Sequence, residues 1–316
     1  MSPAPPAIEL AAPDIAPYAA GNTGIPYVTT LDSGRPGPHV VVNALTHGNE
    51  LCGAIVLDEI FRRGVRPAAG KLSLSFANVG AYRRFDAANP TASRFVDEDF
   101  NRLWDAATLD GKRQSAELER ARALRPLIDS ADLLLDLHSM QQASPALMLA
   151  GLTDKSLALA RRVGVPDIIV RDAGHAAGPR MRDYADFSEP ASRKAALLVE
   201  CGQHWEKRTA EIASDTAWRF LAASGVLAPA EAAAILARPA APQRVVTVTD
   251  AVTIAGDRFD FADDYRGMEV IPRAGTVIAH DGGNEIRTPY DECVLIMPSR
   301  RLQRGQTAVR LGRFTA

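Results

Sequence analysis

The chain has 316 residues, of which 47% are hydrophobic and 23% are charged, the balance of an ordinary globular protein. This length suits one large domain, or a main domain with a smaller one, and it can bury a core without disulfide bonds. A formal net charge of −2 gives no indication of nucleic acid or an anionic membrane as partner.

The low cysteine content and the lack of recognisable targeting signals favour small-molecule chemistry in the cytoplasm. Cys52, Cys201 and Cys293 are too few and too scattered for a disulfide framework or a cysteine-based zinc site. The first residues lack the basic and apolar regions of a signal peptide, and no apolar run is long enough to span a membrane. We therefore expect a cytoplasmic enzyme. The oligomeric state stays open, a homo-oligomer included.

Strands and helices alternate through the first two thirds of the chain. After 38 residues that hold at most one or two edge strands, the pattern predicts strands at 39–45, 72–79, 131–138, 167–172 and 194–202, and helices at 51–63, 115–128 and 209–225. Such alternation predicts an α/β fold, with a mostly parallel or mixed central sheet flanked by helices.

The C-terminal part of the chain has a different pattern. An Ala/Pro-rich passage leads into short apolar runs that are separated by Gly, Asp and Pro turns. We expect a catalytic α/β domain at 1–230, a linker at 231–243, and a small all-β C-terminal domain at 244–316.

Two of the six histidines stand where predicted strands give way to loops, which is where open α/β sheets bind ligands. His47 is followed three positions later by Glu50, so both side chains can point to the same side at the start of a helix. His138 ends a buried strand, and Asp136 lies on the same face of that strand.

These residues predict an open zinc site. A set of two histidines and one glutamate leaves the fourth position of Zn²⁺ for water, as in catalytic sites. Asp136 is suited to orient the ligand His138. Taken singly, an H-x-x-E motif arises by chance, and a lone strand-end histidine is more often a structural residue. The combination favours the metal.

Two further segments carry charged residues of interest. Asn101 and Arg102 lie in a predicted loop and are suited to hold a carboxylate, unless Asp99 simply pairs with Arg102 there. Glu200 ends an apolar strand, where an unpaired charge is costly. Near zinc it could act as general base; by itself, a buried salt bridge would be the better explanation.

The order H-G-N-E, D-E-D-F-N-R, D-L-H and V-E-C-G resembles the aspartoacylase/succinylglutamate desuccinylase family of zinc hydrolases, relatives of the zinc carboxypeptidases. The resemblance covers roughly residues 40–205, and the β-rich tail is similar in kind. It implies a carboxypeptidase-like fold, one Zn²⁺ held by His47, Glu50 and His138, and Glu200 as the catalytic glutamate.

The resemblance also assigns the substrate contacts. It implies that Arg94 polarises the scissile carbonyl, and that Asn101 and Arg102 grip the carboxylate of the amino-acid part of the substrate. His204 and Trp205 add an aromatic pair close to the base, and His204 either touches substrate or caps a turn.

Two departures from the family pattern bear on specificity. Aspartoacylase has an arginine ten residues before the catalytic glutamate, where this chain has Pro190. The tyrosine of a C-terminal Tyr-Pro element is replaced by Met297, before Pro298. Both differences argue against N-acetylaspartate as substrate.

The resulting hypothesis is hydrolysis of the amide bond of a small N-acyl amino acid. Water, activated by zinc and Glu200, would attack the carbonyl carbon. The alternatives are a zinc carboxypeptidase acting on peptides and a zinc-stabilised binding protein without activity. The β-rich tail distinguishes the first alternative, because in the acylase branch it narrows access to the site.

Overall fold

The computed structural model describes residues 7–175 and 177–315. Its α-helices are, in chain order, α1 (Leu51–Arg62), α2 (Val79–Tyr82), α3 (Ala106–Asp110), α4 (Ala116–Ser130), α5 (Asp154–Val163), α6 (Lys207–Ser224) and α7 (Pro229–Leu236). Its strands are β1 (Val28–Asp32), β2 (His39–Ala44), β3 (Lys71–Phe76), β4 (Leu133–Met140), β5 (Leu147–Leu149), β6 (Ile168–Arg171), β7 (Ala195–Gln203), β8 (Arg244–Thr253), β9 (Phe259–Phe261), β10 (Glu269–Ile271), β11 (Val277–Asp281), β12 (Asn284–Arg287), β13 (Cys293–Ile296) and β14 (Thr307–Thr315).

One long mixed sheet forms the centre of the molecule. Its strands follow the order β1-β3-β2-β4-β7-β5-β6-β8-β14-β13-β10, and β3, β2, β4 and β7 are parallel. The strand β1 pairs antiparallel at one edge, and β5 is antiparallel to β7. At the C-terminal end the strands are antiparallel, and β12, β11 and β9 form a second small sheet. The predicted α/β class with a β-rich C-terminal region is confirmed.

The central strands are buried on both faces, which explains their continuous apolar sequence. In β2, Val40 and Val42 pack into the core that contains α1 and α6. Val41 points to the opposite face and packs into the core that contains α4. Helices therefore cover both sides of the parallel strands, and the loops at the strand ends are the places left for a site.

The β-rich region is hydrogen-bonded to the central sheet. Its first strand begins at Arg244 and pairs in parallel with β6, starting with Ile168 opposite Arg244. The helix α7 begins just before the predicted linker and covers its first six residues, because alanine has the highest helix propensity and Pro229 suits a first helical position.

Two elements had not been anticipated between β4 and β7. The strand β5 is only three residues long, too short for a clear period. The helix α5 has an amphipathic pattern and ends at Gly164, whose left-handed conformation (φ 77°) terminates the helix. The amphipathic pattern of α5 and the glycine that ends it were readable in the sequence.

Among the described residues, no helix combines the length and the apolarity that a bilayer crossing requires.

Candidate active site

Adjacent elements bring the three predicted ligands together. His47 lies just after β2, Glu50 directly precedes α1, and His138 lies within β4. The strands β2 and β4 are parallel neighbours, so the residues that follow them reach the same edge of the sheet. The strand β4 continues to Met140, so the expectation that His138 ends the strand was wrong by two residues, because β4 stays paired with β7 beyond it.

The side chains of these residues converge on one buried point. Oε1 of Glu50 lies 2.7 Å from Nδ1 of His47, and Oε2 lies 2.9 Å from Nδ1 of His138. One nitrogen or oxygen from each residue lies within 4.8 Å of those of the other two. Two histidines and one glutamate are a donor set of catalytic zinc sites. The cluster therefore fits a metal ion.

Both imidazoles are held from the far side by a second carboxylate. Nε2 of His47 lies 2.9 Å from Oδ1 of Asp99, and Nε2 of His138 lies 2.7 Å from Oδ2 of Asp136. Nε2 of His47 also lies 2.8 Å from Nη2 of Arg94, which can only donate, so this nitrogen is open to accept a hydrogen bond as well. A neutral imidazole has only one N–H, so in His138 donation from Nε2 to Asp136 turns the Nδ1 lone pair toward Glu50. A lone pair that faces a carboxylate needs a cation between them, which supports the metal assignment.

The electrostatics of His138 give the same result. Burial alone lowers the pKa of His138, but the Asp136 and Glu50 carboxylates raise it well above its ordinary range. Two carboxylates on one ring thus favour a positive charge at this position, supplied by a proton or by a metal. Asp136 is itself fixed, because its Oδ1 accepts hydrogen bonds from Asn43 and Thr46, each of 2.8 Å.

Asp99 does not pair with Arg102, the alternative that the sequence left open. Its Oδ2 accepts a 3.0 Å hydrogen bond from Nη2 of Arg94, while its Oδ1 holds His47. Nη1 of Arg94 lies 3.6 Å from Oε1 of Glu50. Arg94 is thus fixed at the edge of the ligand cluster and lines the same cavity.

Gly48 is required by a close backbone approach. A Cβ at this position would lie 2.4 Å from the backbone carbon of Ala81 and 2.5 Å from the carbonyl oxygen of Ser93. The loop that carries Arg94 therefore packs directly on the His47 loop. This contact, together with the 3.1 Å hydrogen bond from Gly48 N–H to the Arg94 carbonyl oxygen, places Arg94 next to His47.

A buried glutamate organises the loop between Arg94 and Asn101. Glu117, in the first turn of α4, accepts hydrogen bonds from the backbone N–H groups of Val96 (2.6 Å), Asp97 (2.9 Å) and Glu98 (3.2 Å). Its Oε1 also accepts a 2.9 Å bond from Asn78. With no solvent exposure, this carboxylate satisfies three consecutive donors and fixes the loop that leads to Asn101.

We expect a Glu117→Gln variant to be less stable and to bind substrate less well. An amide group would point N–H donors at backbone N–H groups, at a cost of about 1–3 kcal/mol in the free energy of unfolding. Denaturant unfolding and KM measure the two effects. Glu119→Gln, an exposed change in the same helical turn, is the control. Wild-type values for Glu117→Gln would contradict an organising role.

Glu200 lies in the middle of β7, beside β4, with His138 as its partner in the strand register. The residue is 8% exposed, and its Oε2 has no hydrogen-bond partner. Burial, opposed by His138 and reinforced by Glu50, raises the pKa of Glu200 to about 8. Among the described residues it has no ion pair, so the buried salt bridge considered for it is wrong.

Asn101 and Arg102 both line the cavity. Oδ1 of Asn101 accepts a 2.9 Å hydrogen bond from the Met181 N–H, which leaves the amide Nδ2 as the free group. Nη1 of Arg102 donates to the Asn101 carbonyl oxygen at 2.6 Å, and burial lowers the pKa of Arg102 to about 10. The free groups here are hydrogen-bond donors, as a carboxylate requires.

The side chain of His204 lines the cavity and does not cap a turn. Its Nδ1 lies 2.8 Å from Oγ of Ser139, and its ring contacts that of Trp205, with centroids 5.4 Å apart. Burial, above all, lowers the pKa of His204 to about 3, so the ring is neutral at neutral pH. A neutral imidazole at this wall can hydrogen-bond to a ligand without adding charge.

One cavity of about 580 Å³, a size typical of small-ligand sites, is lined by all the predicted site residues, namely His47, Glu50, Arg94, Asn101, Arg102, His138, Glu200 and His204. Sequence reasoning missed part of its wall, namely His175 and the C-terminal residues Arg301 and Arg310. The sequence did offer one indication for Arg310, because an arginine inside the apolar strand β14 is costly to bury unless an opposite charge lies near it. For Arg301, in an arginine-rich loop, the sequence offered none.

Comparisons with known proteins identify the relatives of this chain. Residues 36–222 match the family model described as the succinylglutamate desuccinylase/aspartoacylase catalytic domain. A probable aspartoacylase from Parasynechococcus marenigrum (strain WH8102) is 36% identical over 134 residues. That alignment covers 39% of this chain and 41% of the relative, so it spans less than half of either protein.

Solved structures share the fold at low sequence identity. The succinylglutamate desuccinylase from Vibrio parahaemolyticus is 18% identical with a TM-score of 0.66, over 92% of this chain and 87% of that one. The ectoine utilization protein EutE (DoeB) from Ruegeria pomeroyi, solved with product bound, is 18% identical with a TM-score of 0.61, over 91% and 88% of the chains. The match of the catalytic-domain model to more than half of the chain makes it a member of the succinylglutamate desuccinylase/aspartoacylase family.

Proposed function

We propose that this protein is a zinc-dependent deacylase that hydrolyses the amide bond of an N-acyl amino acid or of a similar small amide bearing a carboxylate. One observation carries the proposal. The buried carboxylate of Glu200, with an unpartnered oxygen, stands beside the cluster of His47, Glu50 and His138. Family membership supports the coarser statement, deacylation of N-acyl amino acids.

In this proposal His47, Glu50 and His138 hold the zinc ion. Zinc in such a site supplies a Lewis acid that lowers the pKa of a bound water to about 7 and polarises a carbonyl group. Glu200 accepts a proton from the attacking water. After the C–N bond breaks, it gives that proton to the leaving amine. Burial raises the pKa of Glu200 above its ordinary range, which makes its carboxylate a stronger base toward that proton.

The cationic residues orient the substrate. Arg94, fixed by Asp99, donates hydrogen bonds to the carbonyl oxygen as negative charge develops there. Asn101 and Arg102 bind the carboxylate of the amino-acid part of the substrate, and His204 contacts the substrate from another side of the cavity.

We also propose the division into a catalytic domain (1–230), a linker (231–243) and a C-terminal domain (244–316). The C-terminal domain contributes residues such as Met297 to the wall of the cavity.

The test is amine release from N-acetyl, N-succinyl, N-formyl and N-aroyl amino acids by the zinc-loaded protein, with and without a chelator. We expect chelator-sensitive release from one acyl class. Dipeptides form a parallel arm of the assay. Faster hydrolysis of dipeptides than of every N-acyl amino acid would replace the deacylase by a carboxypeptidase, and no hydrolysis in either arm would overturn the proposal.

A further inference from the structure

One part of the cavity wall is apolar. Four residues from three strands of the central sheet form it, namely Leu149 on β5, Leu198 on β7, and Ile296 and its neighbour Met297 at the end of β13. The first three are buried and belong to one hydrophobic cluster, and Met297 is partly exposed and packs against that cluster. These residues make one continuous apolar surface, which we name the apolar floor.

The apolar floor lies between the metal cluster and the residues proposed to hold the substrate carboxylate. Leu198 and Glu200 are two positions apart in β7, so their side chains are on the same face of the sheet. Leu149 is directly opposite Leu198 on the neighbouring strand β5. The next strand, β6, leads into the segment whose Met181 N–H donates to Asn101. The order of the strands thus places the apolar floor beneath the path from Glu200 to Asn101.

The charged groups beside the apolar floor are paired with one another. Nη2 of Arg180 lies 2.8 Å from Oδ1 of Asp172, and its Nε lies 2.6 Å from Oδ2 of Asp183. Nε of Arg310 lies 3.9 Å from the other oxygen of Asp172. Both arginines therefore have a carboxylate partner within the protein. Pro190, at the position where aspartoacylase has an arginine, is exposed and does not line the cavity.

Met297 is the residue through which this surface can adapt to a ligand. Its side chain is unbranched and polarisable, so it fills irregular gaps. The residue has a left-handed backbone (φ 51°), which is uncommon for a residue with a Cβ atom. Met268 has a similar backbone (φ 69°) and packs against the same cluster, but it does not line the cavity. It therefore offers a matched control for Met297.

We infer that the apolar floor binds an apolar side chain on the amino-acid part of the substrate. The inference rests on the proposed function and names its substrate class, the N-acyl derivatives of amino acids such as leucine. Asn101 and Arg102 hold the carboxylate, and the side chain of the same amino acid packs on Leu149, Leu198 and Met297. Burial of apolar area stabilises this complex, whereas a carboxylate or an amide on the same surface would lose its hydrogen bonds to water.

The test compares three amino acids whose side chains have nearly the same shape. Leucine, asparagine and aspartate all branch at Cγ and differ in polarity and charge. Each is joined to the four acyl groups of the amine-release assay. Wild-type protein should hydrolyse the leucine derivatives with a kcat/KM about 10–200-fold above the other two, the range for one group in a hydrophobic pocket. Calorimetry with the free amino acids, which are the amine products, measures the preference without turnover.

Substitution of Met297 shows whether the apolar floor sets this preference. Met297→Gln keeps the length of the side chain and adds an amide, so it should reduce the preference for leucine by about 10-fold. Met297→Leu, which stays apolar, should retain the preference. Met268→Gln makes the same change in the same hydrophobic cluster outside the cavity and should leave the preference intact. The preference is a ratio within one protein sample, so a partial loss of folded protein does not alter it.

The outcomes separate failure of this inference from failure of the proposed function. Hydrolysis of the aspartate or asparagine derivative at least as fast as that of leucine would overturn the inference and leave the deacylase intact. A preference for binding leucine that depends on Met297, without hydrolysis of any N-acyl amino acid, would overturn the deacylase and support the apolar floor as a binding site. An unchanged preference in Met297→Gln, or an equal loss in Met268→Gln, would contradict the apolar floor.

Discussion

Replacing Glu200 with glutamine is expected to lower kcat by about 10²–10⁴-fold, the usual contribution of a general base. Glutamine keeps the shape of the side chain and cannot accept the proton of the attacking water. The residue faces the cavity with an oxygen that no protein group uses, so the change breaks no hydrogen bond of that oxygen. The loss should therefore appear in kcat more than in KM or in stability.

Zinc content distinguishes this role from metal binding. The candidate ligands are His47, Glu50 and His138, so Glu200→Gln should retain one zinc per chain by elemental analysis. Glu206→Gln, an exposed change six residues along the chain, should leave kcat at the wild-type value. Either near-normal turnover or loss of zinc in Glu200→Gln would refute the assignment of this residue as the base.

The parallel core could be predicted from the sequence because its signals are local. A run such as Val40–Val42 is apolar at every position, which only a strand covered on both faces requires. The positions of His47 and His138 near the ends of such runs predicted that they lie at one edge of the sheet. Neighbouring parallel strands then bring them together, and the site follows from the topology.

The remaining wall of the cavity could not be predicted in this way. Arg310 reaches the site because β8 pairs with β6 and continues the sheet into the C-terminal strands. Strand pairing between such distant segments depends on how the two packed faces fit, and no local pattern encodes it. The partners of Asp99 were missed for the same reason: the contact of the Gly48 loop with the Arg94 loop decides them.

Removing the metal is expected to abolish turnover. The substitution His138→Ala, which removes a proposed ligand, is expected to cause the same loss of turnover. Incubation with a chelator should reduce activity to background, and added Zn²⁺ should restore it. Loss of the ligand in His138→Ala should weaken zinc binding more than Asp136→Asn does. Substitution of a residue that hydrogen-bonds a ligand typically lowers metal affinity by about 10–100-fold. His280→Ala, at an exposed histidine, controls for nonspecific metal binding.

The order of these effects tests the whole arrangement of the centre. If His138 is a ligand, zinc affinity should fall in the order wild type, Asp136→Asn, His138→Ala, and activity at limiting zinc should follow it. Excess zinc should rescue Asp136→Asn, whose ligands remain, and should rescue His138→Ala far less. Because His138 is buried, its removal could also unfold the chain, so the chelation of wild-type protein is the independent measurement. Full activity in the chelated protein, with zinc shown to be absent, would mean that the cluster of His47, Glu50 and His138 is not a catalytic metal site.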